Sequence, residues 1–172
     1  MIRNVVRAVL GDEDFYARVA SDSSLMFQAF VVVVVANVLD GLGASFATDA
    51  SLILGAVVGM LTGVVGWLIW TGIAYLVGVR MFGGHADYRE MLRVIGFSYA
   101  PLAIGVIPWL GFVGAAWALF AAVVAIRVSM EFSTRRAILT TGFGWAAWLG
   151  LAVLVNTFLD FDFAIRWANP FG

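Results

Sequence analysis

The chain of 172 residues contains no cysteine and no lysine, and it has only one histidine and three prolines. Without cysteine it can form neither a disulfide nor a thiolate metal site, and His85 has no companion ligand for a metal ion. The serines have no neighbouring histidine for a nucleophile–base pair, and the sequence has no P-loop and no HExxH motif. Charged residues are scarce, and the basic ones, all arginine, form no dense cluster. We therefore expect no enzymatic activity, no cofactor and no nucleic-acid partner.

Apolar residues, in contrast, dominate the chain: they make up 63% of it, and the mean hydropathy is +0.99. A soluble domain of this size could not bury so much apolar surface, so lipid is the expected solvent. The sequence predicts an all-α fold, a polytopic membrane helix bundle with five transmembrane helices. Runs that are almost free of charge place the spans at about 24–44, 51–80, 93–107, 111–128 and 136–159.

The apolar run 94–126 is too long for one span. As a single helix it would be about 50 Å long, whereas the hydrocarbon core is roughly 30 Å thick. Pro108 and Gly111 predict a hairpin turn near its middle, and Pro101 predicts a kink within the first arm. Each arm is short, so the hairpin either crosses fully or is re-entrant, and we favour the full crossing.

The N-terminal segment 1–22 combines apolar and basic residues at helical spacing. Ile2, Val5, Val6, Val9 and Leu10 alternate with polar residues, which predicts a short amphipathic helix at the membrane surface. The arginines are asymmetric along the chain: nine flank one side of the predicted spans, and only Arg166 falls on the other. By the positive-inside rule the N-terminus is expected in the cytoplasm, and the tail 160–172 outside the cell membrane.

Glycines form a stripe in the second span, at Gly55, Gly59, Gly63 and Gly66. Small residues spaced in this way let two helix backbones approach closely. The stripe indicates either packing against another helix of the same chain, which we favour, or a contact in a homo-oligomer.

A few polar residues lie within the predicted spans. Asn37, Asp40, Ser98 and Asn156, together with Thr140 and Thr141, would line a polar cavity if they converged. Asp40, however, is only a turn from the external end, so we expect it to extend towards the interface.

Charged residues in the loops 83–93 and 129–136 form the other candidate site. Arg127 and Glu131 have the spacing of an ion pair on a helix, with further arginines nearby. A cytoplasmic contact face for a protein partner or for anionic lipid is therefore predicted from six residues: Arg89, Arg93, Arg127, Glu131, Arg135 and Arg136. The alternative is a solvated ion pair without a partner.

Residues 82–138 resemble the YIP-domain family (Ypt/Rab-interacting protein family). The resemblance rests on Gly83-Gly84, on Tyr88-Arg89, on "GFSYAP" at 96–101, on Pro108 and Trp117, and on "SMEFSTRRAI" at 129–138. It implies five transmembrane helices within 23–159, a cytoplasmic N-terminus and a tail on the opposite side.

Eukaryotic members of that family act in membrane trafficking and associate with Rab-type GTPases and with one another. This sequence lacks their hydrophilic N-terminal region with its "DLYGP" motif, so GTPase binding does not carry over, and a prokaryotic-type member is expected. The functional hypothesis is a non-enzymatic membrane scaffold or adaptor, and the alternative is a small transporter or channel component. Membrane lipid, a protein partner of unknown identity and a second copy of the chain are the expected partners.

Overall fold

The computed structural model describes residues 1–48 and 51–159, with side chains described for 1–46 and 51–150. The predicted tail 160–172, with Arg166, and the side chain of Asn156 lie outside this part of the chain. Within it the fold is helical, without strands. The helices are α1 (Ile2–Val9), α2 (Glu13–Ser21), α3 (Met26–Thr48), α4 (Leu52–Leu76), α5 (Tyr88–Ser98), α6 (Gly111–Ser129) and α7 (Thr134–Leu159), with a π-helical turn at Val77–Met81 and a 3-10 segment at Ala100–Val106.

The predicted N-terminal helix is present as α1. Its stripe of Ile2, Val6 and Leu10 is exposed, whereas Ala8 on the other face is fully buried. Asn4 joins α1 to α3 because its Nδ2 donates a hydrogen bond of 3.0 Å to Oε1 of Gln28. An apolar stripe that faces away from the protein fits a helix lying against lipid.

Helix α2 was not predicted, although its start has a clear signal. Asp12 is the N-cap and accepts a hydrogen bond of 2.9 Å from the backbone N–H of Phe15. The same carboxylate accepts a hydrogen bond of 2.6 Å from Nε of Arg7. The hydrogen bond from Arg7, followed by that from Phe15, holds the pKa of Asp12 below its ordinary value. Phe15, Tyr16 and Val19 are fully buried, so α2 packs into the protein.

Neighbouring long segments run in alternating directions. Gly41 of α3 lies against Gly55, and Asn37 lies against Gly63, so α3 and α4 are antiparallel. Helix α7 is antiparallel to α4 as well, since Gly78 lies near Thr140 and Gly66 faces Trp148. We call the end where α3 and α7 begin and α6 terminates the arginine end; it carries Arg18, Arg80, Arg89, Arg127, Arg135 and Arg136.

The segment 88–106 crosses the bundle beside α3 in two helical pieces. Gly96 lies against Ala29 near the start of α3, and Gly105 lies against Gly43. Between Gly96 and Gly105 the chain therefore runs about 21 Å along α3, which is the helix length between residues 29 and 43. A 3-10 helix rises about 2 Å per residue, against 1.5 Å for an α-helix, so it covers this distance with fewer residues.

Pro101 differs from its predicted role. Instead of kinking a continuous α-helix, it lies in the first turn of the 3-10 segment, after α5 has ended at Ser98. A proline costs little at such a start, because the missing N–H would have no intrahelical partner there.

The hairpin turn lies at 107–110, and Pro108 is inside it. Leu110 N–H donates to the carbonyl of Ile107 at 3.1 Å, which closes the turn. Trp109 has a φ of 75°, the positive value that a turn of type II requires at its third residue, with proline favoured before it. The turn was predicted at Pro108, with Gly111 expected to take the unusual backbone conformation; Trp109 takes it instead, and Gly111 begins α6, where the next span was predicted to start.

Three segments in the described part are long and apolar enough to cross a membrane: Ser23–Phe46, Leu52–Met81 and Gly111–Ser129. The segment 88–106 is divided between two short helices, and α7 extends beyond the described side chains. Length and composition thus support three of the five predicted crossings, and the other two stay predictions.

Candidate functional site

The two loops at the arginine end pack against each other and form one surface. The rings of Phe82 and Phe132 meet edge to face, with centroids 6.3 Å apart. Gly84 lies so close to Phe132 that a Cβ there would be 2.9 Å from the ring. Ser129, at the end of α6, donates a hydrogen bond of 2.5 Å to Oε1 of Glu90 in the first turn of α5. The predicted contact face therefore rests on a fixed support.

Arg93 does not belong to that face. Its residue is only 7% exposed, and its Nε donates a hydrogen bond of 2.9 Å to the carbonyl of Val19. A terminal guanidinium nitrogen donates to the carbonyl of Ala20. The last carbonyls of a helix have no intrahelical partner, and a cation is favourable beside them. Arg93 thus caps the C-terminus of α2 and holds it against α5.

Arg127 also has a different partner from the predicted one. It forms an ion pair with Glu13 of α2 rather than with Glu131. Helix α6 ends at Ser129, and Glu131 has a φ of 53°, so the two residues do not share a helical face. The ion pair is a second attachment of α2 to the body of the protein.

Three arginines of the predicted face remain exposed, and we keep the name contact face for them: Arg89, Arg135 and Arg136. Arg80, which the sequence analysis left out, is exposed at the same end. Within the described residues none of these four forms an ion pair. Their charges therefore have no ion-pair partner among the described residues.

A cavity of about 240 Å³ lies deeper in the bundle, between α3, α4, the 3-10 segment, α6 and α7. Asn37 and Asp40 line it together with glycines, alanines and aromatic rings. Contrary to expectation, Asp40 does not extend to the interface: it is 6% exposed. Its Oδ1 has no hydrogen-bond partner among the described residues and lies against Gly105. Asn37 is partly satisfied, since its Nδ2 donates to the carbonyl of Val33 at 2.8 Å.

Three of the other polar residues that were expected to line a cavity, Ser98, Thr140 and Thr141, do not converge on it. The hydroxyl of Ser98 donates a hydrogen bond of 2.7 Å to the carbonyl of Ile95. Thr140 and Thr141 are buried but lie outside the cavity lining. No continuous polar path is formed within the described part of the chain.

The glycine stripe of α4 packs inside the molecule. Gly55 and Gly59 lie against the backbone of α3, Gly63 against the side chain of Asn37, and Gly66 against Trp148. A Cβ at any of these positions would overlap with its neighbour. The stripe is therefore occupied by α3 and α7.

A comparison with protein-family models decides the family. The model of the Yip1 domain matches residues 7–156. The chain belongs to the Yip1 domain family. Searches of curated proteins and of solved structures gave no significant match. Family membership and the three apolar helices together identify a membrane protein.

The match to the Yip1 domain begins within α1 and so includes α2, which the sequence analysis had treated as part of an interfacial segment. Two signals could have revealed α2: Asp12 as an N-cap and the buried pattern Phe15, Tyr16, Val19. No group of three or more metal-ligating side chains occurs among the residues that the structure describes.

Proposed function

We propose that this Yip1-domain protein is a non-enzymatic scaffold or adaptor of the cell membrane. Its arginine end lies in the cytoplasm and binds an acidic segment of a partner protein or anionic lipid headgroups. The observation that supports the proposal is the contact face of Arg89, Arg135 and Arg136, which is exposed on two packed loops and forms no ion pair within the described chain.

The rest of the architecture is consistent with this role. Two packed loops hold the contact face, and α2 is attached beside it through Arg93 and Arg127. Each arginine near an anionic leaflet contributes about 1 kcal/mol of attraction. Three such residues attract an acidic partner without requiring a deep groove.

The second candidate function is a small transporter or channel component, and the cavity beside Asp40 is the observation in its favour. Such a function needs polar groups that follow one another through the bundle. Among the described lining residues only Asn37 and Asp40 bring a carboxamide or carboxylate to the cavity, so the scaffold is the better supported proposal. Flux of small cations into vesicles that contain the purified protein would reverse this preference.

The experiment for the scaffold uses photo-crosslinking in native membranes. A photoreactive residue replaces Ser133, which is exposed beside the contact face, and in a control protein it replaces Ala17, which is exposed on α2. We expect a discrete crosslinked partner from position 133 only, and we expect it to weaken when Arg135 and Arg136 are both replaced by glutamine.

The matched control carries Arg3→Gln and Arg18→Gln, which remove the same charge from exposed positions of the N-terminal helices, outside the contact face. This variant should crosslink like the wild type. Identical crosslinks in both double variants, or equal crosslinking from positions 17 and 133, would contradict a specific contact face.

A further inference from the structure

Apart from the contact face, the cavity lined by Asn37 and Asp40 is a pocket, open on one side, that combines a carboxylate with several aromatic rings. Trp70, Tyr99, Trp145 and Trp148 contribute to its lining. The rings of Trp70 and Tyr99 lie 5.7 Å apart between centroids, at an interplanar angle of 49°. Both residues are largely buried, at 6% and 7% exposed.

The carboxylate has no counter-charge among the described residues of the lining. None of these is an arginine or a histidine, and Oδ1 of Asp40 has no hydrogen-bond donor within the described part of the chain. A buried carboxylate in an apolar surrounding is strongly unfavourable unless it is paired with a cation or protonated. A ligand that carries a positive charge would supply the missing partner.

The chemistry of the lining indicates which kind of cation the cavity suits. A metal ion would need several oxygen ligands, whereas the lining is mainly apolar and aromatic. The faces of tryptophan and tyrosine rings attract alkylated ammonium groups, which are poorly hydrated and apolar at their surface. The volume of about 240 Å³ accommodates one such group with a short chain.

We propose that the cavity binds a methylated ammonium group, with Asp40 as its counter-ion and the rings of Trp70, Tyr99 and Trp148 around it. The group is carried either by a small free solute or by a lipid headgroup. Thr62 and Trp145, exposed residues of the lining, lie at the surface of the bundle, so a headgroup can enter from the side. The site shares no residue with the contact face, and it is independent of the scaffold function.

The test measures binding of choline to the protein in a non-ionic detergent by calorimetry, beside its uncharged isostere 3,3-dimethylbutan-1-ol. We expect the wild type to bind choline at least about tenfold more tightly than the isostere, because only the charged form pairs with Asp40. This comparison needs no variant and is not affected by misfolding. Equal binding of the two compounds, or stabilisation by sodium ions alone, would refute the proposal.

Two variants then test whether Asp40 is the counter-ion of the bound choline. Asp40→Asn keeps the shape of the side chain, and it should weaken choline binding about tenfold or more. Trp109→Leu is the control, since Trp109 is 79% exposed in the turn and lies outside the cavity. A folded Asp40→Asn protein that binds choline like the wild type contradicts the assignment.

A third arm distinguishes the two sources of the ammonium group. The protein is reconstituted in phosphatidylglycerol nanodiscs with or without phosphatidylcholine, and its thermal stability is measured. Stabilisation by phosphatidylcholine that Asp40→Asn abolishes supports a lipid headgroup, and stabilisation by free choline alone supports a solute. No effect of either ligand on the wild type overturns the proposal.

Discussion

Replacing Arg93 by methionine is the sharpest test of how α2 is held. Methionine keeps the length and apolar character of the side chain but removes the guanidinium that donates to Val19 and Ala20. A hydrogen bond to a charged group contributes about 1.5–3 kcal/mol, so the loss of two such bonds should cost roughly 3 kcal/mol or more. The two carbonyls would also lose this donor, and that of Val19 is in a buried place.

That cost falls on the docking of α2 rather than on the whole bundle. Among the described residues, the polar side-chain attachments of α2 to α5 and α6 are the hydrogen bonds of Arg93 and the ion pair between Glu13 and Arg127. Amide hydrogen exchange reports the free energy of such local opening. Since 1.4 kcal/mol corresponds to a factor of ten, exchange in Glu13–Ser21 should accelerate about a hundredfold in the variant.

The control is Arg89→Met, which removes an exposed arginine from the same helix. It should leave the exchange of α2 unchanged, and neither variant should alter the exchange of α3. If Arg93→Met exchanges like the wild type in α2, then burial of Phe15, Tyr16 and Val19 alone holds the helix, and the capping argument is wrong.

Two further predictions concern packing and orientation. Gly59→Ala should destabilise the detergent-solubilised protein by about 1–3 kcal/mol through overpacking against α3, and so lower its melting temperature. Gly72→Ala on the same helix, with open space beside it, should not. Equal stability of the two variants would argue against close packing at the stripe. A single cysteine at Ser133 should react with a membrane-impermeant reagent only from the cytoplasm, and one at Asn169, outside the described residues, only from the other side; reaction of both from one face would disprove the proposed orientation.

The sequence predicted the long helices well because charge-free apolar runs and their breakers are local signals. The three supported spans and the turn containing Pro108 follow from these signals. The close approach of α3 to the glycine stripe could be anticipated too, since the absence of side chains at Gly59 and Gly63 has few other uses in a small bundle.

The arginines could not be assigned in this way, because their partners are distant along the chain. Arg93 bonds to Val19 and Ala20, more than seventy residues earlier. Arg127 had an acid four residues away in the sequence, but the helix ended before that spacing could bring them together. The tertiary structure therefore determines which arginines are left exposed to form a contact face.

The environment of Asp40 could not be predicted from the sequence either. Near the end of a predicted span, a carboxylate is expected to reach water. It stays buried because the 3-10 segment lies directly over it at Gly105. The path of residues 100–106 depends on packing against α3 and α6, which no local pattern reports.

The alternation of α3, α4, the segment 88–106, α6 and α7 has a consequence for the two ends of the chain. An odd number of passes carries a polypeptide from one compartment to the other, whereas an even number returns it. In the predicted five-span arrangement the two-piece segment 88–106 is one of the five passes, so losing it would leave four and place everything that follows in the opposite compartment. A reporter fused before residue 1 and another fused beyond Leu159 would then be expected in one compartment, whereas five passes predict them on opposite sides of the membrane.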